Sequence, residues 1–167
     1  MEFDSPSFSN LLRDRMKVKM IGVPYCLGAS IEGTDIAPTK IESLYKTELE
    51  NLGISFENLK VNSIQKLDKS KDIIPAYVQM CNDLAAKLNG GNSKPIIFGG
   101  DHSIAVGTWS GVINSLKADS NFGLIWVDAH TDAHTYQTSP SKNYHGMPLS
   151  FLLGEGDERL SNIGGVK

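Results

Sequence analysis

Cysteine is nearly missing from this sequence: Cys26 and Cys81 are its only two, far apart and in apolar surroundings. They form neither a metal-type spacing nor a disulfide framework. A stapled secreted scaffold is therefore excluded, and two buried thiols in a reducing compartment are expected. Long apolar runs are missing as well; none approaches the ~20 residues that a membrane span needs. Residues 1–10 contain no apolar core of the kind a secretory signal carries. They hold Glu2 and Asp4, and no arginine precedes Arg13, which argues against a mitochondrial transit peptide. A cytoplasmic location is the expectation. Charge of one sign is not in excess: the formal net charge is -3, too small for a bulk attraction to nucleic acid or an anionic membrane. Internal repeats, low-complexity tracts and linkers are lacking too. Residues 1–167 thus read as one domain, with 1–16 as a mobile lead-in.

What is present is ordinary in amount and specific in arrangement. With 40% hydrophobic and 21% charged residues, the chain can bury a core. Residues 17–23 (KVKMIGV) read as a strand that ends at Pro24 and enters a loop between Gly28 and Gly33. Pro38 stands where a helix can begin, with Thr34 and Asp35 upstream as capping candidates. Ile41, Leu44, Tyr45, Leu49 and Leu52 follow at helical spacing until Gly53 closes that helix. Residues 54–61 are a weaker strand candidate. A second helix places Ile73, Ile74, Tyr77, Val78, Cys81, Leu84, Ala85 and Leu88 on one face and stops at Asn89-Gly90-Gly91. Residues 95–98 (PIIF) form a short apolar strand. A third helix is expected over 103–116, with Ile104, Trp109, Val112, Ile113 and Leu116 available for packing. Residues 122–127 (FGLIWV) read as the next buried strand, 135–144 as a polar loop around Pro140, and 148–153 as the start of another helix. Strands that alternate with helices, and are apolar throughout, imply burial on both faces. The expectation is a three-layer α/β/α domain with a mostly parallel sheet.

In such sheets ligands gather beyond the carboxyl ends of the strands, and the two most unusual strings fall there. All four histidines lie between positions 102 and 145. His102 follows the PIIF strand in Gly99-Gly100-Asp101-His102, and His130 follows FGLIWV in Asp128-Ala129-His130-Thr131-Asp132. If the chain stays extended past the strand end, alternate side chains share a side, so two carboxylates and an imidazole can face neighbouring metal positions. Mixed imidazole and carboxylate ligands suit manganese, zinc or iron(II) better than calcium or a thiolate-selecting metal. Taken singly, a histidine after a glycine turn is a surface or capping residue and an aspartate at a strand end caps the next helix. Five Asp and His positions (Asp101, His102, Asp128, His130, Asp132) at two strand ends weigh against that reading. A phosphate-binding turn lacks support because neither G-x-G-x-x-G nor Gly-Lys-Ser/Thr is present. The chain holds no G-x-S-x-G elbow for a serine hydrolase around Ser103.

These residues resemble the arginase/agmatinase (ureohydrolase) family. The matching strings are Gly22-Val23-Pro24-Tyr25, Gly99-Gly100-Asp101-His102-Ser103, Trp126-Val127-Asp128-Ala129-His130-Thr131-Asp132 and Asn143-Tyr144-His145-Gly146-Met147-Pro148-Leu149-Ser150-Phe151-Leu152-Leu153, in order over residues 17–153. The resemblance implies an arginase-like fold and manganese-dependent hydrolysis of L-arginine to L-ornithine and urea by a metal-bridging hydroxide. It implies His102, Asp128, His130 and Asp132 as ligands of two Mn2+ ions. Asp128 would bridge them, His102 and Asp132 would share one ion, and His130 would bind the other. His145, as proton shuttle, and Asp132 are the implied catalytic residues. Ser141 and Asn143 match positions that hold the substrate's α-carboxylate. His134 stands where an arginase has an asparagine for the same contact, a departure that bears on substrate selectivity.

Family members are about twice this length, and the resemblance implies that the fold is incomplete here. A second Asp-x-Asp metal motif and the acidic residues for the guanidinium and α-amino groups would follow Lys167. Glu155, Asp157 and Glu158 are expected at the surface and do not replace them. Strands of the missing half would lie between strands present here, leaving open sheet edges and an exposed apolar patch. Assembly as a homotrimer or hexamer is implied for a full-length chain, with no nucleic-acid or membrane partner. Two alternatives stand beside arginase: another ureohydrolase of agmatinase or formimidoylglutamase type, and a truncated, non-catalytic partner of a full-length relative.

Overall fold

The computed structural model describes residues 17–61, 72–89, 93–116 and 121–163. The expected lead-in at 1–16 lies outside the described residues, as do Gly90 and Gly91. Three parallel strands form the sheet in the order β2-β1-β3: β1 is Val18–Val23, β2 is Ser55–Asn58 and β3 is Lys94–Gly99. Five helices accompany them among the described residues: α1 (Ile36–Asn51), α2 (Ile74–Leu88), α3 (Ala105–Ser115), α4 (Pro148–Leu152) and α5 (Glu158–Ser161). Short 3-10 turns cover His102–Ile104 and Tyr144–Gly146.

The side chains of β1 divide the layers. Ile21 and Val23 are buried in one cluster with Tyr77, Cys81 and Leu84 of α2 and Val106 of α3. On the other face, a side chain at Gly22 would run into Pro38 of α1. Alternation along an extended strand thus gives a helix layer on each side of the sheet. Helices α2 and α3 meet closely because Gly107 and Gly111 of α3 lie against the backbone of Cys81 and Ala85. The buried stripe of α3 is accordingly small: Ala105, Val106, Gly107, Ser110 and Gly111.

Several elements differ from the sequence reading. Helix α1 forms where its apolar spacing predicts, but Leu44 and Tyr45 face solvent and only Pro38 is buried. Asp35 stands at its N-terminus without a side-chain capping bond. The strand β3 is apolar yet largely exposed, with Ile96 and Phe98 open. The larger correction concerns residues 122–127. They join no strand and lie as an irregular segment, with Ile125 87% and Val127 91% exposed. A strand is buried on both faces only when it lies within a sheet that helices cover on either side. Among the described residues β3 pairs only with β1, so the composition of a buried strand is present at 122–127 without a ladder that would place it under the helix layers.

Candidate metal centre

The sheet order reverses at β1: its neighbour on one side follows through α1, and on the other through α2. A crevice at such a switch point lies beyond the carboxyl ends of β1 and β3, where the loops after Val23 and Gly99 part. Two backbone bonds hold these loops together. Gly100 N donates to Val23 O at 3.0 Å and Asp101 N donates to Tyr25 O at 2.9 Å. A side chain at position 100 would overlap the Tyr25 carbonyl oxygen, which explains the glycine there.

Asp101 caps the turn that follows. Its Oδ1 accepts from Ser103 N at 2.8 Å and from the Ser103 hydroxyl, and its Oδ2 accepts from Gly28 N at 2.8 Å. Burial pushes its pKa up, against these hydrogen bonds, which pull it down. Both oxygens are therefore spent on the loop junction. Asp101, grouped by sequence with the metal-type residues, is not one of those whose ligand atoms converge.

His102 makes a different set of contacts. Its ring stacks on Trp126 at 5.0 Å, and its Nδ1 lies 3.0 Å from Asp132 Oδ2 and 3.4 Å from Asp128 Oδ2. One ligand atom from each of His102, Asp128 and Asp132 lies within 4.8 Å of the other two. Asp132 is 7% exposed, and although His102 approaches its Oδ2, that oxygen accepts no hydrogen bond. Asp128 turns its other oxygen to His130: Oδ1 accepts from His130 N at 2.8 Å and lies 3.3 Å from His130 Nδ1. The His130 N–H is the main cause that holds the Asp128 carboxyl below its ordinary pKa. The His130 ring itself is 82% exposed.

The convergence is not achieved by simple alternation. Residues 129 and 130 bend, and Asp132 adopts the left-handed conformation with φ 49°. This region is unfavourable by ~1–2 kcal/mol for most L-residues, and aspartate is among the side chains that tolerate it. Outside contacts hold it there. Leu149 N donates to Asp132 O at 2.9 Å, His134 N to Gly146 O at 3.2 Å, and Ser150 Oγ to His134 O at 2.8 Å. Helix α4 and the Tyr144–Gly146 turn thus clamp the segment that carries the two aspartates.

The remaining candidate residues stand around this group. His145 is half-buried, with its N–H donating to Gly28 O at 3.0 Å. Ser141 is exposed and accepts from Asn143 N at 3.3 Å, while His134 Nδ1 lies 3.2 Å from Thr138 Oγ1. Among the described residues, no hydrogen bond joins His134, Ser141 or Asn143 to the His102, Asp128 and Asp132 group. Sequence reasoning missed two supports of the centre. Trp126 falls in the expected strand and in a family-like string without a role of its own, although it precedes Asp128 by two residues and so shares its side of an extended chain. Gly28 gave no signal beyond its place in a loop.

Comparison with known proteins decides the family. A model of the arginase family matches residues 16–165. The chain belongs to the arginase family. It is 37% identical over 161 residues to an arginase of Brevibacillus brevis, covering 89% of this chain and 52% of that protein. An arginase of Bacillus subtilis is 35% identical over 157 residues, covering 89% of this chain and 52% of the relative. The crystal structure of an arginase from Bacillus subtilis superposes with a TM-score of 0.73 at 37% identity, over 90% of this chain and 51% of that one. An Entamoeba histolytica arginase solved in complex with L-ornithine matches with a TM-score of 0.76 at 30% identity, over 88% and 53% of the two chains. The chain therefore spans about half the length of the curated relatives it matches. Its fold is α/β and arginase-like over that half.

Proposed function

We propose that this chain supplies the His102, Asp128, His130 and Asp132 side of a two-manganese centre that hydrolyses L-arginine to L-ornithine and urea. One observation carries the reading: His102 Nδ1 and the Oδ2 atoms of Asp128 and Asp132 converge, and the Asp132 oxygen is buried without a hydrogen-bond donor. A buried carboxylate oxygen in that state is unfavourable unless a cation satisfies it, so these residues fit a divalent metal. The ion-pair partners recorded for both aspartates are imidazoles, and imidazole with carboxylate is a donor set that manganese accepts.

His102 and Asp132 would hold one ion and His130 the other, with one Asp128 oxygen facing each position. Two such ions, when bound, depress the pKa of water toward ~7–9 and make hydroxide available at neutral pH for attack on the guanidinium carbon. His145 would keep a proton for the departing amine, a task that suits an imidazole at neutral pH. Ser141, Asn143 and His134, on the rim, would hold the substrate's α-carboxylate. The L-ornithine in the Entamoeba histolytica relative supports a site shaped for this amino acid. The free thiols of Cys26 and Cys81 support a reducing, cytoplasmic setting, and no described helix is long and apolar enough to cross a membrane. The exposed apolar side chains of Ile125 and Val127 support further polypeptide contact, as in a homo-oligomer.

Manganese titration followed by electron paramagnetic resonance tests the ligand set. The parent chain should bind Mn2+, Asp128→Ala should lose it, and His145→Ala should keep it. Equal loss in both variants would sink this division of roles. Urea release from L-arginine should be absent for these 167 residues loaded with Mn2+, because among the described residues only His102, Asp128 and Asp132 bring ligand atoms together. Clear manganese-dependent urea from them would mean that other carboxylates complete the site.

A further inference from the structure

We propose that Asp101 is a positioning residue that ties His145 to His102 through Gly28, setting the proton-transfer histidine against the metal ligand. The proposal rests on the ureohydrolase reading for its purpose, but its geometry is independent of it. The carboxylate sits at the switch point between β1 and β3 and divides its oxygens between two loops. Oδ1 holds Ser103, the neighbour of His102, through both its N–H at 2.8 Å and its hydroxyl. Oδ2 holds Gly28 N at 2.8 Å across 73 residues of sequence. The carbonyl of the same Gly28 accepts from His145 N at 3.0 Å. Gly28, bonded at both its N–H and its carbonyl, thus links the end of β3 to the turn that carries His145.

Three details distinguish this from an ordinary helix cap. A cap needs only the Ser103 bonds; the bond to Gly28 serves the junction. The back of the turn is fixed separately, because Tyr77 Oη donates to Ser103 O at 2.8 Å. Gly28 has no room for a side chain: a Cβ would stand 2.5 Å from Ser103 Oγ and 2.8 Å from Asp101 Oδ1. Accepting three donors with two oxygens calls for a carboxylate. Asparagine caps equally well, yet it offers one acceptor and turns an NH2 toward one of these donors.

Asp101→Asn therefore separates the two roles. The readouts are the exchange rate of the His145 amide and the imidazole NMR correlations of all four histidines, with the Ile21 amide in β1 as a gauge of folding. Expected for Asp101→Asn is an Ile21 amide as protected as in the parent and a His145 amide that exchanges about tenfold faster, the loss of roughly one hydrogen bond. The His145 and His102 imidazole signals should shift, while those of His130 and His134 stay. Ser103→Ala, which leaves the Gly28 bond, should not move His145. The proposal is overturned by a folded Asp101→Asn in which His145 is unchanged, or by Ser103→Ala shifting His145 as much. If Asp101→Asn does not fold, Gly28→Ala opens the same junction with the carboxylate intact, and the same criteria apply. None of these readouts needs metal or turnover. A protein that hydrolyses no arginine would defeat the functional reading and leave this tie standing.

Discussion

Asp132 offers the sharpest test of the metal reading, because it should make the metal-free chain weaker and the metal-loaded chain stronger. Its Oδ2 is buried and accepts no hydrogen bond. An unsatisfied polar atom of that kind is unfavourable by about 1–3 kcal/mol. Replacing it in Asp132→Asn keeps the shape, tolerates the left-handed backbone, and sets a neutral amide in place of the carboxylate 3.0 Å from His102 Nδ1. Without metal the variant should gain about 1 kcal/mol, a rise of about 2–4 °C in Tm for a chain of this size. Mn2+ at a hundred times its dissociation constant should stabilise the parent by about 2.7 kcal/mol, or roughly 5–11 °C. Loss of the charged ligand should weaken binding at least tenfold, taking about 1.4 kcal/mol or more from that shift. Thermal unfolding in chelator and in Mn2+ reads both effects. The order of the two proteins should invert: variant above parent in chelator, parent above variant in manganese. A variant that melts lower in chelator would show that the Asp132 oxygen has a partner in the protein. An undiminished manganese shift would show that it does not bind the ion.

Two further outcomes follow from the packing. Gly100→Ala drives a methyl group into the Tyr25 carbonyl and parts the loops beyond β1 and β3, so it should destabilise the chain by about 1–3 kcal/mol in urea denaturation, and an unchanged midpoint would refute the contact. Ile125→Lys places a charge on the most open stretch of residues 122–127 and should lower self-association in light scattering without lowering Tm, whereas a fall in Tm would mean that Ile125 is buried.

The sequence made local structure legible and left its neighbours unspecified. Helix α2 follows its apolar period closely because a long amphipathic face identifies both itself and what it needs to touch. Helix α1 has the same kind of period, but its Leu44 and Tyr45 find no sheet surface opposite them. Which side chains gather at the strand ends could be read from two short strings. How they gather could not: the bend at 129–130, the left-handed Asp132 and the bond of Asp101 to Gly28 go with contacts to α4 and the loop after β1. Such contacts join residues far apart in sequence, and no local pattern encodes them.

Residues 122–127 make the same point from the other side. A run such as FGLIWV is composed for the middle of a sheet, and among the described residues it has no strand beside it. Yet Asp128, at its end, is oriented. The His130 amide fixes one of its oxygens, and Trp126, two residues earlier, lies against the His102 ring. The geometry of the centre therefore depends less on the ladder than on short contacts at the strand ends, together with the clamp of α4 on Asp132 and His134. The stability of the segment depends on the ladder, since Ile125 and Val127 gain nothing from burial without it. Sheet completion and ligand placement are thus separable in this chain. Contacts local to the strand ends can bring His102, Asp128 and Asp132 together on a sheet whose edge strands, among the described residues, are β2 and β3.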